Sequence, residues 1–99
     1  MYLRSAFVLL YSMMQKNDQS LLINEKELKK IGQRIKNLRK AKGFTNPDKF
    51  SYEHGLNRSQ YGKYEAGSTN LTIGTLVTIL NCFNITLSEF FNEEYVKLV

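Results

Sequence analysis

The chain has very little of several residue types on which particular protein classes depend. Cys82 is the only cysteine, so no disulfide can form within the chain, and this fits a reducing compartment. One cysteine and one histidine are too few for a zinc site without help from carboxylates. A single proline and six glycines argue against a disordered or fibrous class. With 99 residues, the chain is expected to fold as one globular domain.

Arrangements of side chains typical of an enzyme are also missing from the sequence. It has no second histidine, no nucleophile paired with a base at a recognisable spacing and no phosphate-cradling glycine loop. His54, the single histidine, precedes a turn and is expected to be a hydrogen-bonded packing residue. We therefore predict a protein that is not an enzyme and that holds no cofactor or metal.

Long hydrophobic runs are absent too. The most apolar stretch, MYLRSAFVLLYSMM at residues 1–14, is shorter than the roughly 20 residues that span a bilayer. We expect neither a membrane helix nor a secretory signal. Two interpretations stay open: Met13 or Met14 is the true start, or residues 1–14 add a helix that packs on the domain or on a partner. We assign residues 1–24 to an N-terminal extension and residues 25–99 to the domain.

Charge is distributed unevenly along the chain. Residues 26–63 hold eleven basic and three acidic side chains, whereas residues 64–99 hold one lysine and four glutamates. A basic half of this kind favours a polyanionic partner, although a solvated lysine-rich surface would give the same count.

The spacing of apolar residues and the capping residues predict helices only. Apolar residues recur three and four positions apart from Leu28 to Ala41, which indicates a first helix over residues 25–42, with its lysines and arginines on the other face. Capping residues mark four more helices: one of about nine residues after Thr45 or Asn46, one from Arg58 capped by Asn57 and ended by Gly67, one capped by Thr72, and one opened by a Thr86–Glu89 capping box. The predicted fold class is all-α.

Only residues 55–57 separate the predicted second and third helices, a joint that favours the sharp crossing of a helix-turn-helix. The third helix lies within GLNRSQYGKYEAG, residues 55–67. Its spacing turns Tyr61 and Tyr64 to one side, where we expect them in the core, and polar side chains to the other.

These stretches, together with IGQRIKNLRKAKGFT (31–45) and LTIGTLVTILNCFNITLSEFF (71–91), resemble the phage-repressor type of helix-turn-helix, the Cro/C1 or XRE family. The resemblance implies a five-helix DNA-binding domain that works as a transcriptional regulator, a repressor, in the bacterial cytoplasm at the nucleoid. It also implies a homodimer on double-stranded DNA. The chain departs from the family pattern between Thr45 and Phe50, where the start of the second helix is one residue longer.

Residue types and the resemblance together give a candidate interface with DNA. Arginine reads guanine through two parallel hydrogen bonds, and short polar side chains reach other base edges. The residues predicted to read bases are Asn57, Arg58, Ser59, Gln60 and Lys63. Phosphates are expected at free N–H groups of the second helix and at the loop after the third. The residues predicted to bind phosphate are Arg34, Lys42, Thr45, Asn46, Lys49, Ser68, Thr69 and Asn70.

Three other functions stay open at this stage. The same fold serves as an antitoxin that binds a partner protein, through the N-terminal segment or the C-terminal tail, and represses its own promoter. A protein-interaction module is a further alternative, because fold alone does not fix function. RNA binding is disfavoured, since single-strand readers usually display aromatic side chains and these are expected to face inward.

Overall fold

The computed structural model describes residues 17–98, with side chains described from residue 24 onward. All regular structure in this range is helical, which confirms the predicted all-α class. The helices in chain order are α1 (Asn17–Ala41), α2 (Pro47–Glu53), α3 (Arg58–Ala66), α4 (Ile73–Asn81), α5 (Leu87–Phe90) and α6 (Glu93–Val96). The prediction of five helices omitted α6.

Helix α1 is longer than predicted at its N-terminal end. It begins at Asn17 rather than at residue 25, so part of the stretch assigned to the N-terminal extension is helical and continuous with α1. The physical reason is that residues 17–31 contain neither glycine nor proline, the two residues that interrupt helices most strongly. The interpretations of residues 1–14 concern residues outside the described range, and the division at residue 24 stays a prediction.

Helices α2 and α3 form the helix-turn-helix predicted from the short joint. Asn46, rather than Thr45, is the N-cap of α2, and α2 has seven residues rather than about nine. Gly55 makes the turn in the left-handed region at φ 68°, where a side chain would be strained. Asn57 caps α3 and Gly67 ends it at φ 68°, as predicted.

The hydrophobic core lies where α1, α2, α3 and α4 meet. Phe50 of α2 is at its centre, with its ring centroid 5.2 Å from that of Tyr61 and 5.1 Å from that of Phe83. The other fully buried apolar side chains come from α1, α4 and α5: Ile35, Leu76, Ile79, Leu80 and Phe90. Buried residues of five helices thus share one core, which fixes the position of α3.

The predicted capping box at the start of α5 is present, since Thr86 and Glu89 each bond the other's backbone N–H.

The C-terminal tail packs on α1. In α6, the Tyr95 hydroxyl donates to Glu27 Oε1, and Lys30 Nζ lies 4.4 Å from the centroid of the same ring. The tail therefore covers part of α1, while Val96 stays 72 % exposed.

Candidate nucleic-acid interface

The outward face of α3 is polar and open to solvent. All five residues predicted to read bases are exposed, and the side chain of Arg58 is 73 % exposed. Asn57 Oδ1 accepts a hydrogen bond from Gln60 N, so the side-chain oxygen of Asn57 is occupied by its capping role. The structure thus brings these five side chains together along one helix and its cap.

The inward face of α3 is aromatic, as predicted. Tyr61 is 1 % exposed, and Tyr64 is half-buried and packed against the core. The buried hydroxyl of Ser51, on α2, donates to its own helix, to Pro47 O and Asp48 O, each at 3.0 Å. Ser51 therefore presents a small surface where α2 packs.

A buried ion pair fastens α3 to α1. Arg39 is 2 % exposed, and its Nε and Nη2 donate to the two carboxylate oxygens of Glu65 at 2.7 and 3.1 Å. Its Nη1 donates to Phe44 O at 2.6 Å. The bond to Glu65 raises the pKa of Arg39. The prediction that placed Arg39 on the solvated face of α1 is therefore wrong.

Close backbone packing accompanies this ion pair. Gly32 faces the backbone of Tyr64 and Glu65, and a Cβ there would lie 2.6 Å from Tyr64 O. One turn further along, Gly67 approaches Lys29, where a Cβ would lie 2.7 Å from Cα. Helices α1 and α3 are thus in direct backbone contact at one glycine of α1 and at the glycine that follows α3.

The environment of Tyr61 also reflects burial. Its hydroxyl has no hydrogen-bond partner among the residues whose side chains are described. Burial raises the pKa of this phenol well above its ordinary value, and the negative charge of Glu65 adds to the effect. The hydroxyl therefore stays neutral in the folded protein.

The start of α2 differs from the prediction of free N–H groups. Asn46 Oδ1 accepts from the backbone N–H groups of Asp48, at 2.8 Å, and Lys49, at 3.3 Å. Pro47 has no N–H, and Phe50 N donates to Asn46 O. Every amide of this helix start is therefore satisfied internally or absent. A phosphate here would depend on the exposed side chains of Thr45, Asn46 and Lys49.

Two of the predicted phosphate ligands are engaged in intramolecular bonds. Arg34 Nε and Nη2 donate to Phe90 O and Glu89 O, both at 3.1 Å, which satisfies carbonyl groups at the end of α5. Lys42 Nζ donates to Cys82 O and lies 3.3 Å from His54 Nε2. The structure gives both side chains a role in holding helices together.

The loop after α3 is the other predicted phosphate site. Ser68 and Asn70 are exposed and Thr69 is half-buried. The Ser68 hydroxyl donates to Lys63 O, as does its backbone N–H, so the loop continues directly from the end of α3. The open hydroxyl and amide groups of this loop lie beyond the C-terminal end of α3, opposite its Arg58 end.

His54 has the packing role predicted for it. Its Nδ1 lies 2.8 Å from Phe50 O, where it can only donate, and its ring packs 4.2 Å from that of Phe50. No cluster of three or more metal-ligating side chains occurs among the described residues.

Sequence reasoning missed one contact beside the face of α3 that is predicted to read bases. Asp48 Oδ2 lies 4.0 Å from Arg58 Nε, across the joint between α2 and α3. Asp48 lies in the first turn of α2 and Arg58 begins α3. The predicted helix-turn-helix brings these two helix starts together, so the contact could have been predicted from the sequence.

Two consecutive helices are joined by a short turn, and the second has a polar exposed face and an inward face packed against the rest of the domain. This arrangement is typical of the helix-turn-helix class of DNA-binding proteins. Comparison with known proteins agrees. Residues 32–96 match the sequence model of the family described as "Helix-turn-helix domain". The chain is 33 % identical over 64 residues to Control protein C.MunI of Mycoplasma sp, an alignment that covers 65 % of this chain and 86 % of that protein. No solved structure matches.

The chain therefore belongs to the helix-turn-helix family of Cro/C1 (XRE) type, and it is a DNA-binding transcriptional regulator. Among the described residues, no helix is both long and apolar enough to cross a bilayer.

Proposed function

We propose that the protein binds specific sites on double-stranded DNA with α3 in the major groove. The observation that carries this proposal is the exposure of five polar side chains on one face of a helix whose other face is buried. Arg58 and Lys63 supply charge-assisted donors, which suit the O6 and N7 acceptors of guanine, and Ser59 suits several base edges. Asn57 and Gln60 stand at the margins of this set.

Phosphate contacts would hold α3 in register from two sides. The exposed side chains of Thr45, Asn46 and Lys49 form the first set, next to the start of α3, and Ser68, Thr69 and Asn70 form the second, after its end. Such contacts position a protein on DNA without reading its sequence. We leave Arg34 and Lys42 outside both sets, because their donors already hold carbonyl groups of the domain.

The regulator would act as a homodimer and a repressor in the cytoplasm, at the nucleoid. A two-fold dimer places two recognition helices in successive major grooves, about 34 Å apart. Phe91, which follows α5, is 40 % exposed, and Val96, on α6, is 72 % exposed. These two side chains supply apolar surface for contact with the second copy. The relative's name, a control protein, agrees with a regulatory role.

Selection of bound duplexes from a random-sequence pool tests this function. The expected result is a palindrome whose half-sites are centred about one helical turn apart. A footprint on the selected site should show protection of both half-sites on one face of the duplex. A single asymmetric half-site would contradict the proposed dimer but not the proposed DNA binding. A folded protein that enriches no sequence, even at low salt, would contradict the proposed function itself.

A further inference from the structure

The first turn of α2 places an acidic side chain beside the main base-reading candidate. Asp48 Oδ2 lies 4.0 Å from Arg58 Nε, and the two side chains are 60 % and 73 % exposed. Asp48 occurs where the proposed interface otherwise presents neutral or basic side chains. Its backbone N–H is held by the N-cap Asn46, which fixes the point from which the carboxylate projects.

Asp48 lies on the Nε side of the Arg58 guanidinium, so the terminal nitrogen atoms are the ones that can contact DNA. Arginine carries five N–H donors in a rigid planar fork. A carboxylate on the Nε side leaves donors of the terminal nitrogens for a base, and two parallel donors are what the O6 and N7 atoms of guanine require. A long side chain that is already oriented also loses less conformational freedom on binding.

The same carboxylate is unfavourable for DNA binding in general. DNA carries a dense line of phosphates, so a negative charge near the interface weakens attraction to any duplex, whatever its sequence. A purely structural explanation exists, because an acidic residue in the first turn stabilises a helix through its dipole. That explanation predicts an effect on folding and none on the choice of base.

We propose that Asp48 is a positioning residue that orients the Arg58 guanidinium toward one base, and that it raises discrimination while it lowers affinity for all DNA. This inference rests on the proposed function, in which Arg58 reads a base. Under this proposal, affinity for random duplex and discrimination between bases change in opposite directions when Asp48 is substituted. Removal of the carboxylate should strengthen binding to random duplex and weaken the preference for the selected base.

The test compares Asp48→Asn with the wild-type protein on three duplexes: the site selected from the random pool, that site with the base pair read by Arg58 replaced, and a scrambled duplex. We expect affinity for the scrambled duplex to rise about two- to fivefold, as removal of one charge near phosphates would give. Preference for the selected base pair should fall about three- to tenfold, which is part of the discrimination between bases that one bidentate contact supplies. Asp48→Ser is a second variant, and thermal melts verify that both fold.

Two controls isolate the contact with Arg58. Glu53→Gln removes the same charge from the other end of α2, at an exposed residue, and should leave base preference unchanged. In an Arg58→Ala background, Asp48→Asn should still raise affinity for scrambled duplex but should no longer change base preference. A role of Asp48 limited to the stability of α2 predicts no such dependence on Arg58.

The outcomes distinguish this inference from the function on which it rests. If Arg58→Ala relaxes preference at one base pair while folded Asp48→Asn keeps the full wild-type preference, the positioning role is wrong and the proposed function stands. If Asp48→Asn changes preference equally with and without Arg58, the positioning role is also wrong. If Arg58→Ala relaxes preference at no position, the assignment of Arg58 as a base reader fails first.

Discussion

The two faces of α3 use similar residue types for opposite purposes. On the inward face, Glu65 is held by Arg39, whose guanidinium is 2 % exposed and whose three nitrogen atoms each donate a hydrogen bond within the fold. On the outward face, Arg58 is 73 % exposed, and its Nε lies 4.0 Å from Asp48 Oδ2. One arginine fastens the helix and the other stays available. Burial and partners, rather than residue type, therefore decide which charges support the fold and which support binding.

This comparison implies that stability and DNA recognition can be changed separately. Substitutions on the inward face should lower the free energy of unfolding. Substitutions on the outward face should leave the free energy of unfolding nearly unchanged and alter binding.

The largest expected effect comes from breaking the buried ion pair. Glu65→Ala leaves the Arg39 guanidinium buried without its partner, which should cost about 3–5 kcal/mol of unfolding free energy. Urea denaturation followed by circular dichroism measures the change. Glu53→Ala, at an exposed carboxylate of α2, is the matched control and should stay within about 0.5 kcal/mol of wild type. Equal losses for the two variants would show that the pair does not fasten α3.

A smaller effect is expected where α1 meets α3. Gly32→Ala adds a methyl group 2.6 Å from Tyr64 O, and we expect a loss of about 1–3 kcal/mol as the helices separate. Gly62→Ala is the control, because a Cβ there meets no atom within 4 Å. That variant should gain about 0.5–1 kcal/mol from helix propensity. Stabilisation by both alanines would contradict the close packing.

The smallest change at neutral pH is expected at Tyr61. Its hydroxyl is buried without a partner among the described residues, so Tyr61→Phe should alter stability by less than about 1 kcal/mol at pH 7.

Alkaline pH should reveal the role of burial at this residue. The folded protein keeps the Tyr61 phenol neutral, since its pKa is raised, whereas an unfolded tyrosine ionises near pH 10. Stability from this group is therefore present below about pH 10 and lost as the pH rises further, by up to roughly 1.4 kcal/mol per pH unit. Tyr61→Phe should lose less stability than wild type between pH 10 and 11. Parallel curves for the two proteins would contradict the raised pKa.

Local features of the fold could be predicted from the sequence because they depend on nearby residues. The bounds of α3, its caps Asn57 and Gly67, the capping box and the inward tyrosines follow from spacing and capping chemistry. The predicted start of α1 at residue 25 was wrong, because no glycine or proline interrupts the helix between residues 17 and 25.

Contacts between distant parts of the chain could not be predicted in the same way. Arg39 and Glu65 are 26 positions apart, and no residue next to Arg39 in the sequence indicates Glu65 as its partner. A signal existed: Arg39 follows the buried Ile35 by four residues, and Glu65 follows the buried Tyr61 by four, so each lies on a buried face. The hydrogen bonds of Asn46 could not be predicted either. Its side-chain oxygen accepts from backbone N–H groups of α2 that were expected to bind phosphate.

We propose that the outward face of α3 reads bases while neighbouring residues hold the DNA backbone. The most direct test of this proposal measures affinities of Arg58→Ala and Lys49→Ala for the selected duplex and for a scrambled duplex across a range of salt concentrations. Arg58→Ala should lose about 1–3 kcal/mol on the selected duplex and relax preference at one base pair. Lys49→Ala should weaken both duplexes alike and reduce the salt dependence by about one ion. An equal loss on both duplexes for Arg58→Ala would contradict the account.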